Sequence, residues 1–169
     1  MTLLESIKAA AEQLEGFSFY YDLRQMQNVT ADDCKFPAIW FEEYYASRII
    51  RTRFDWQREV TLELHFLELV PMQGVAEERE KVREWLLYNG VEPFIELMSE
   101  KARENGWTEI TEYQCDPEPP LFDANATGIL LRFTMIVPTC QIQPEPTPPT
   151  PPETEPETTN ENEQNNEGA

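Results

Sequence analysis

Glu59-Val-Thr-Leu-Glu-Leu-His-Phe-Leu-Glu-Leu69 alternates apolar and polar residues with a period of two. Val60, Leu62, Leu64 and Phe66 fall on one side of an extended chain, and Thr61, Glu63 and His65 fall on the other. An amphipathic helix would repeat its apolar residues every three or four positions, so the pattern predicts a strand with one buried and one wet face. Pro71 and Gly74 end it.

Upstream, Pro37 introduces Ala38 to Tyr45, an aromatic run of strand-forming residues. Ala46 to Trp56 continues it, with Arg48, Arg51 and Arg53 set among Ile49, Ile50 and Phe54, and the two halves read as a long hairpin. Residues 24 to 36 are polar and read as a loop, and Phe17 to Leu23 as a short extended piece. Further back, Leu3, Leu4, Ile7, Ala10, Ala11 and Leu14 recur at helical spacing over Thr2 to Leu14. Thr2 followed three residues later by Glu5 is a capping-box pattern, and Gly16 marks the end of the helix.

Downstream, Val75 to Asn105 reads as helical, with Val82, Trp85, Leu86, Phe94, Ile95, Leu97, Met98 and Ala102 on its buried face. Gly90 and Pro93 predict a kink or two abutting helices around Tyr88 to Pro93. Trp107 to Cys115 reads as a strand, Asp116-Pro-Glu-Pro-Pro as a rigid loop, and Ile129 to Val137 as a last strand. Both faces of that last strand carry apolar residues, which predicts an interior strand or one that meets another subunit. The sum is a single α+β domain over residues 1–140, an antiparallel sheet backed by helices in the order α-β-β-α-β-β.

At Cys140 the composition changes. Residues 141–169 consist almost wholly of Pro, Glu, Thr, Asn and Gln, and Ile142 is their only bulky aliphatic residue. Such a segment buries too little apolar surface to offset the entropy of ordering, so a disordered acidic tail is expected. The formal net charge is -19, of which seven tail glutamates supply -7, leaving 25 acids against 13 bases in the domain. That balance disfavours binding nucleic acid by wrapping phosphates, and fits a basic protein partner or a surface past which DNA slides.

No catalytic motif stands out, and an enzyme is not expected. Glu42 and Glu43 are adjacent on a strand and point to opposite faces. Glu77, Glu78 and Glu80 read as the dipole-favoured start of a helix. His65 reads as a surface or interface residue, Ser6, Ser18, Ser47 and Ser99 lack a nucleophile-elbow context, and the glycines are too scattered to cradle a phosphate. Cys34, Cys115 and Cys140 include no CxxC pair and read as reduced, mostly buried thiols of a cytoplasmic protein. No metal site or cofactor is expected. No signal peptide is read at the N-terminus, and no apolar run is long enough to span a bilayer.

The local anomaly is cationic. Arg48, Arg51, Arg53 and Arg58 are four of the 13 bases and lie within eleven residues, interleaved with Phe54 and Trp56. Arg and Trp are enriched at interface hot spots, so these four arginines and Trp56 are read as a subunit or partner contact. A nucleic-acid patch and a solvated hairpin paired with nearby acids are the other readings.

The order of an N-terminal helix, Pro37-Ala-Ile-Trp-Phe-Glu-Glu-Tyr44, a long hairpin through the arginines into Val60-Thr-Leu-Glu-Leu-His-Phe66, a helix, and Gly128-Ile-Leu-Leu-Arg-Phe-Thr-Met-Ile-Val137 resembles the tail-terminator (tail-completion) and neck proteins of long-tailed bacteriophages. The resemblance is one of element order over Leu3 to Thr139, without an invariant motif, and the tail is not part of it. It implies a non-catalytic virion protein assembled in the host cytoplasm. It further implies a homo-oligomeric ring, usually of six copies, that joins the tail tube to the head-side connector and lets DNA pass without specific binding. The other functional class open to the sequence is a cytoplasmic adaptor that binds one protein through the Arg/Trp hairpin or the acidic tail.

Overall fold

The computed structural model describes residues 2–21, 34–51, 56–70, 76–121 and 126–138, apart from the side chains of 42–47 and 119–121. The expected disordered tail and the 24–36 loop up to residue 33 lie outside these residues.

Helix α1, Leu3–Glu12, begins on the expected box: the Glu5 amide donates to the Thr2 hydroxyl at 3.2 Å, and the Thr2 amide donates to the Glu5 carboxylate at 2.8 Å. Strands β1 (Ser18–Tyr21), β2 (Ala38–Arg51) and β3 (Trp56–Leu69) follow. Helix α2, Ala76–Leu86, carries Glu77 and Glu78 in its first turn. It passes through a single π-helical turn, Leu87–Val91, into α3, Glu92–Asn105, which stops at Gly106 in the left-handed region at φ 68°. The expected break near Gly90 is therefore a widened turn in a continuous helical path. Gly90 sits there because a Cβ would lie 2.9 Å from both the Phe17 and Phe66 rings. Strands β4, Tyr113–Leu121, and β5, Ala126–Pro138, complete the chain.

The five strands form one sheet in the order β1-β2-β3-β5-β4. The fold is α+β, as read from the sequence, with three corrections. β1 is a full strand and pairs with β2 in parallel, Tyr20 opposite Trp40, so one edge of the sheet is not antiparallel. The long connection between Tyr21 and Ala38 provides the return that a parallel neighbour requires. Asp116-Pro-Glu-Pro-Pro is not a loop but the body of β4. β4 is an edge strand, where a missing proline N–H breaks no ladder on the open side. Trp107 precedes that strand and plugs the core instead of starting it.

β5 is interior, between β3 and β4, as its two apolar faces suggested. The helices cover one face of the sheet. Ile7, Phe94, Met98 and Ala102 pack with Ile39, Phe41, Leu62, Leu64, Phe66, Leu131 and Phe133, all at 3 % exposure or less. Phe66 meets Phe94 edge to face at 5.6 Å. Trp85, expected in this core, is 43 % exposed and stacks on Phe17 at the margin. The opposite face is not uniformly wet. Ala38, Trp40, His65 and Leu67 are buried on it, and only its other half is polar.

Candidate functional site

β2 and β3 are both 14 residues long, about 46 Å at strand rise, and their ladder runs from Ala38–Leu67 to Arg51–Trp56. The helical cover does not extend as far. Val60 and Met135, register partners, are buried at 2 % and 1 %, whereas Trp56 is 50 % and Ile49 64 % exposed. Past the Val60–Met135 level, the β2–β3 hairpin continues as an arm, flanked on one side by the end of β5, where Val137 and Pro138 lie opposite Arg58 and Gln57.

Register decides what the arm displays. Trp56 and Arg58 share the face of Val60, two residues apart, with Arg51 opposite Trp56 and Ile49 opposite Arg58. The apolar face of the sheet thus continues out of the core as an uncovered patch of two large apolar side chains and two arginines. Arg51 places its guanidinium over the Trp56 ring, 5.3 Å from the centroid, in cation–π contact. Arg48 lies on the other face, opposite Glu59. Of the five residues read from sequence as a contact, the structure therefore joins Arg51, Trp56 and Arg58 on one face and sets Arg48 on the reverse. Arg53 lies outside the described residues. Ile49, the most exposed large apolar residue of the patch, was hidden in the sequence by its position in an ordinary strand run.

The described bases fall into two groups. Lys8, Lys81, Lys101, Arg103 and Arg132 each have a carboxylate within 4 Å. Lys35, Arg48, Arg51, Arg58, Arg79 and Arg83 have none among the described residues, and of these Arg51 and Arg58 lie beside the exposed Trp56 and Ile49. Arg132 is the best satisfied. It donates to Glu63 on β3 at 3.0 Å and to Asp116 on β4 at 2.5 Å, tying three strands together on the polar half of the sheet.

His65 overturns its surface reading. It is 5 % exposed, and its Nδ1 meets the Oε1 of Glu118, itself 6 % exposed, across β5. Gly128 stands between Leu67 and Glu118 in register, and a Cβ there would come within 2.6 Å of the Leu67 side chain. The glycine lets the two flanking strands' side chains close over β5. The other oxygen, Glu118 Oε2, is buried without a hydrogen-bond partner among the described residues, while the Glu118 carbonyl accepts from Arg83 at 2.7 Å. The pair is enclosed and not presented to solvent.

Cys34 and Cys115 are half-buried thiols, and Cys140 lies outside the described residues. Burial, with Asp116 and Glu92 adding repulsion, pushes the Cys115 thiol up, so it stays protonated near neutral pH and is a weak nucleophile. Among the described residues no group of three His, Cys, Asp or Glu side chains is placed to hold a metal, and no helix is long and apolar enough to cross a membrane. The arm is the described surface that sets exposed Trp56 and Ile49 beside arginines without a carboxylate within 4 Å among the described residues. No protein-family model matches the chain, and no curated protein sequence matches it either.

Proposed function

We propose that the chain is a ring-forming structural subunit of a virion or tail-like particle, a tail terminator or neck component that joins a tail tube to the head-side connector. The arm is its contact with a neighbouring copy or partner. The observation that carries this reading is the hairpin that outruns its helical cover and exposes Ile49 and Trp56 beside Arg51 and Arg58. Trp and Arg side by side are the residue types that anchor interfaces. The element order agrees with the tail-terminator pattern, and β1 adds a strand to it. The acidic surplus of the domain suits a channel wall that must not retain DNA.

The test is assembly. The full chain is sized in solution alone and together with the products of the neighbouring genes, beside Trp56→Ala and Arg51→Glu/Arg53→Glu variants. A ring of several copies is expected for the full chain when the neighbouring products are present. Both variants should keep the monomer fold and lose the ring, because Trp56 and Arg51 are exposed and contribute little to the core. Assembly should also weaken as salt rises, since partly exposed charge contacts are screened. Normal assembly by both variants refutes the reading.

A further inference from the structure

We propose that the acidic, proline-rich segment of residues 141–169 docks on the arm of its own chain and occupies the Arg51–Trp56–Arg58 face until a partner displaces it. This deepens the reading of the arm as a contact surface and rests on it. Three observations converge on that occupant.

The first is continuity. β5 ends at Pro138, in register with Gln57, the residue next to Trp56. The chain leaves the sheet on the arm itself. Glu145 is only seven residues further on, at most about 25 Å away even when fully extended. A short tether of this kind sets a local concentration on the order of millimolar, enough to populate a contact that would be negligible between separate molecules.

The second is charge. The segment carries Glu145, Glu153, Glu155, Glu157, Glu161, Glu163 and Glu167 and no base. The arm carries three described arginines, Arg48, Arg51 and Arg58, with no carboxylate within 4 Å among the described residues, in a domain with 25 acids against 13 bases. Arg79 and Arg83 on α2 share that lack but are set among Glu77, Glu78, Glu80 and Glu84, so electrostatics favours the arm for an acidic segment.

The third is shape chemistry. Seven prolines between Pro144 and Pro156 favour an extended polyproline conformation, which loses little entropy on binding and stacks well on exposed aromatic rings. Trp56, half exposed at the arm's face, is such a ring, and Ile49 widens the apolar strip beside it.

The consequence is a built-in competitor. A segment docked nine-tenths of the time would leave a tenth of the arms competent and weaken association through them about tenfold. The domain would stay monomeric after synthesis and assemble where a template supplies a better-fitting acidic or apolar surface.

The experiment uses the full chain at low concentration, where it is monomeric, and a full-length variant with the seven tail glutamates changed to Gln. The Trp56 indole N–H and the Arg51 and Arg58 Nε–H signals are followed by NMR, assigned with Trp56→Phe and single Arg→Lys variants. At about 20 mM salt these signals should differ between the two chains, and the difference should collapse toward 1 M, where the screening length is about 3 Å. The Gln variant should also self-associate about tenfold more tightly through the arm. Coincident signals in the two chains at low salt overturn the proposal. So does a difference that appears only as protein concentration rises, which assigns the arm to a second copy. A dilute chain that shows docking but never forms a ring supports this inference while refuting the ring.

Discussion

Removing one member of the buried His65–Glu118 pair should destabilise the protein far more than removing both. The side chains are 6 % and 8 % exposed. In His65→Leu the Glu118 carboxyl group loses its Oε1 contact while Oε2 already lacks a hydrogen-bond partner among the described residues, so a buried polar group is left with neither oxygen paired. Losses of that kind run at about 3–5 kcal/mol. In Glu118→Met the His65 Nδ1 loses its carboxylate, a buried-polar penalty of about 1–3 kcal/mol. The double variant His65→Leu/Glu118→Met replaces both with apolar groups of similar reach, in a site already walled by Leu67 and Trp40, and should lie within about 1 kcal/mol of the parent. The coupling between the two positions is then at least about 3 kcal/mol. The assay is urea unfolding of all four proteins at neutral pH, with constant denaturant slopes as the check that the unfolded states are comparable. If the double variant loses the sum of the two single losses within about 0.5 kcal/mol, the side chains act independently and the reasoning fails.

Two further expectations concern the core and the first helix. Leu64→Ala and Phe133→Ala, at 0 % and 3 % exposure on the helix-covered face, should each lose about 2–5 kcal/mol in urea unfolding, whereas Leu69→Ala, 39 % exposed, should lose less than about 1 kcal/mol. Equal losses at the three positions would mean that the covered face is misassigned. The Glu5 carboxyl is held below its ordinary value by the hydrogen bond from the Thr2 backbone, and then by the Thr2 hydroxyl. A depressed folded-state value means that the stabilisation is fully present above the ordinary carboxylate range and is lost as pH falls through Glu5's own. The stability gap between the parent and Glu5→Gln should therefore narrow from neutral pH into acid, and a pH-independent gap would show that the ionised cap is not what stabilises α1.

What was legible in the sequence was what is local. The Thr2–Glu5 box needs residues only three apart, and the β3 core face needs only a period of two, so both could be read directly. β4 was misread because Pro117, Pro119 and Pro120 are turn signals in isolation; that they sit on an open sheet edge is a fact of topology. His65 was misread for the same reason. Its strand period assigns it to a wet face, and its burial depends on Glu118, 53 positions away, and on a glycine in the strand between them. The arm was half legible. Its arginines stand out by composition, but the uncovered face they share with Ile49 follows from where the helical layer ends.

The arm's charge bears on how copies of this chain could meet at all. With a net charge of -19, two copies repel at most relative orientations, and like-charge surfaces brought together are penalised by several kcal/mol. Helix α2 presents Glu77, Glu78, Glu80 and Glu84 to solvent, with Lys81 already beside Glu77. On the arm, acid from another molecule would meet arginines that have no carboxylate within 4 Å among the described residues, with Trp56 and Ile49 supplying the apolar area that steering alone lacks. In the proposed ring, repulsion elsewhere would then select the one relative orientation that brings an arm onto a neighbour's acidic face. In the proposed latch the same steering would bring the seven tail glutamates to the arm before assembly, so that one patch with two described arginines, Arg51 and Arg58, would serve both as the chain's own latch and as its contact with others.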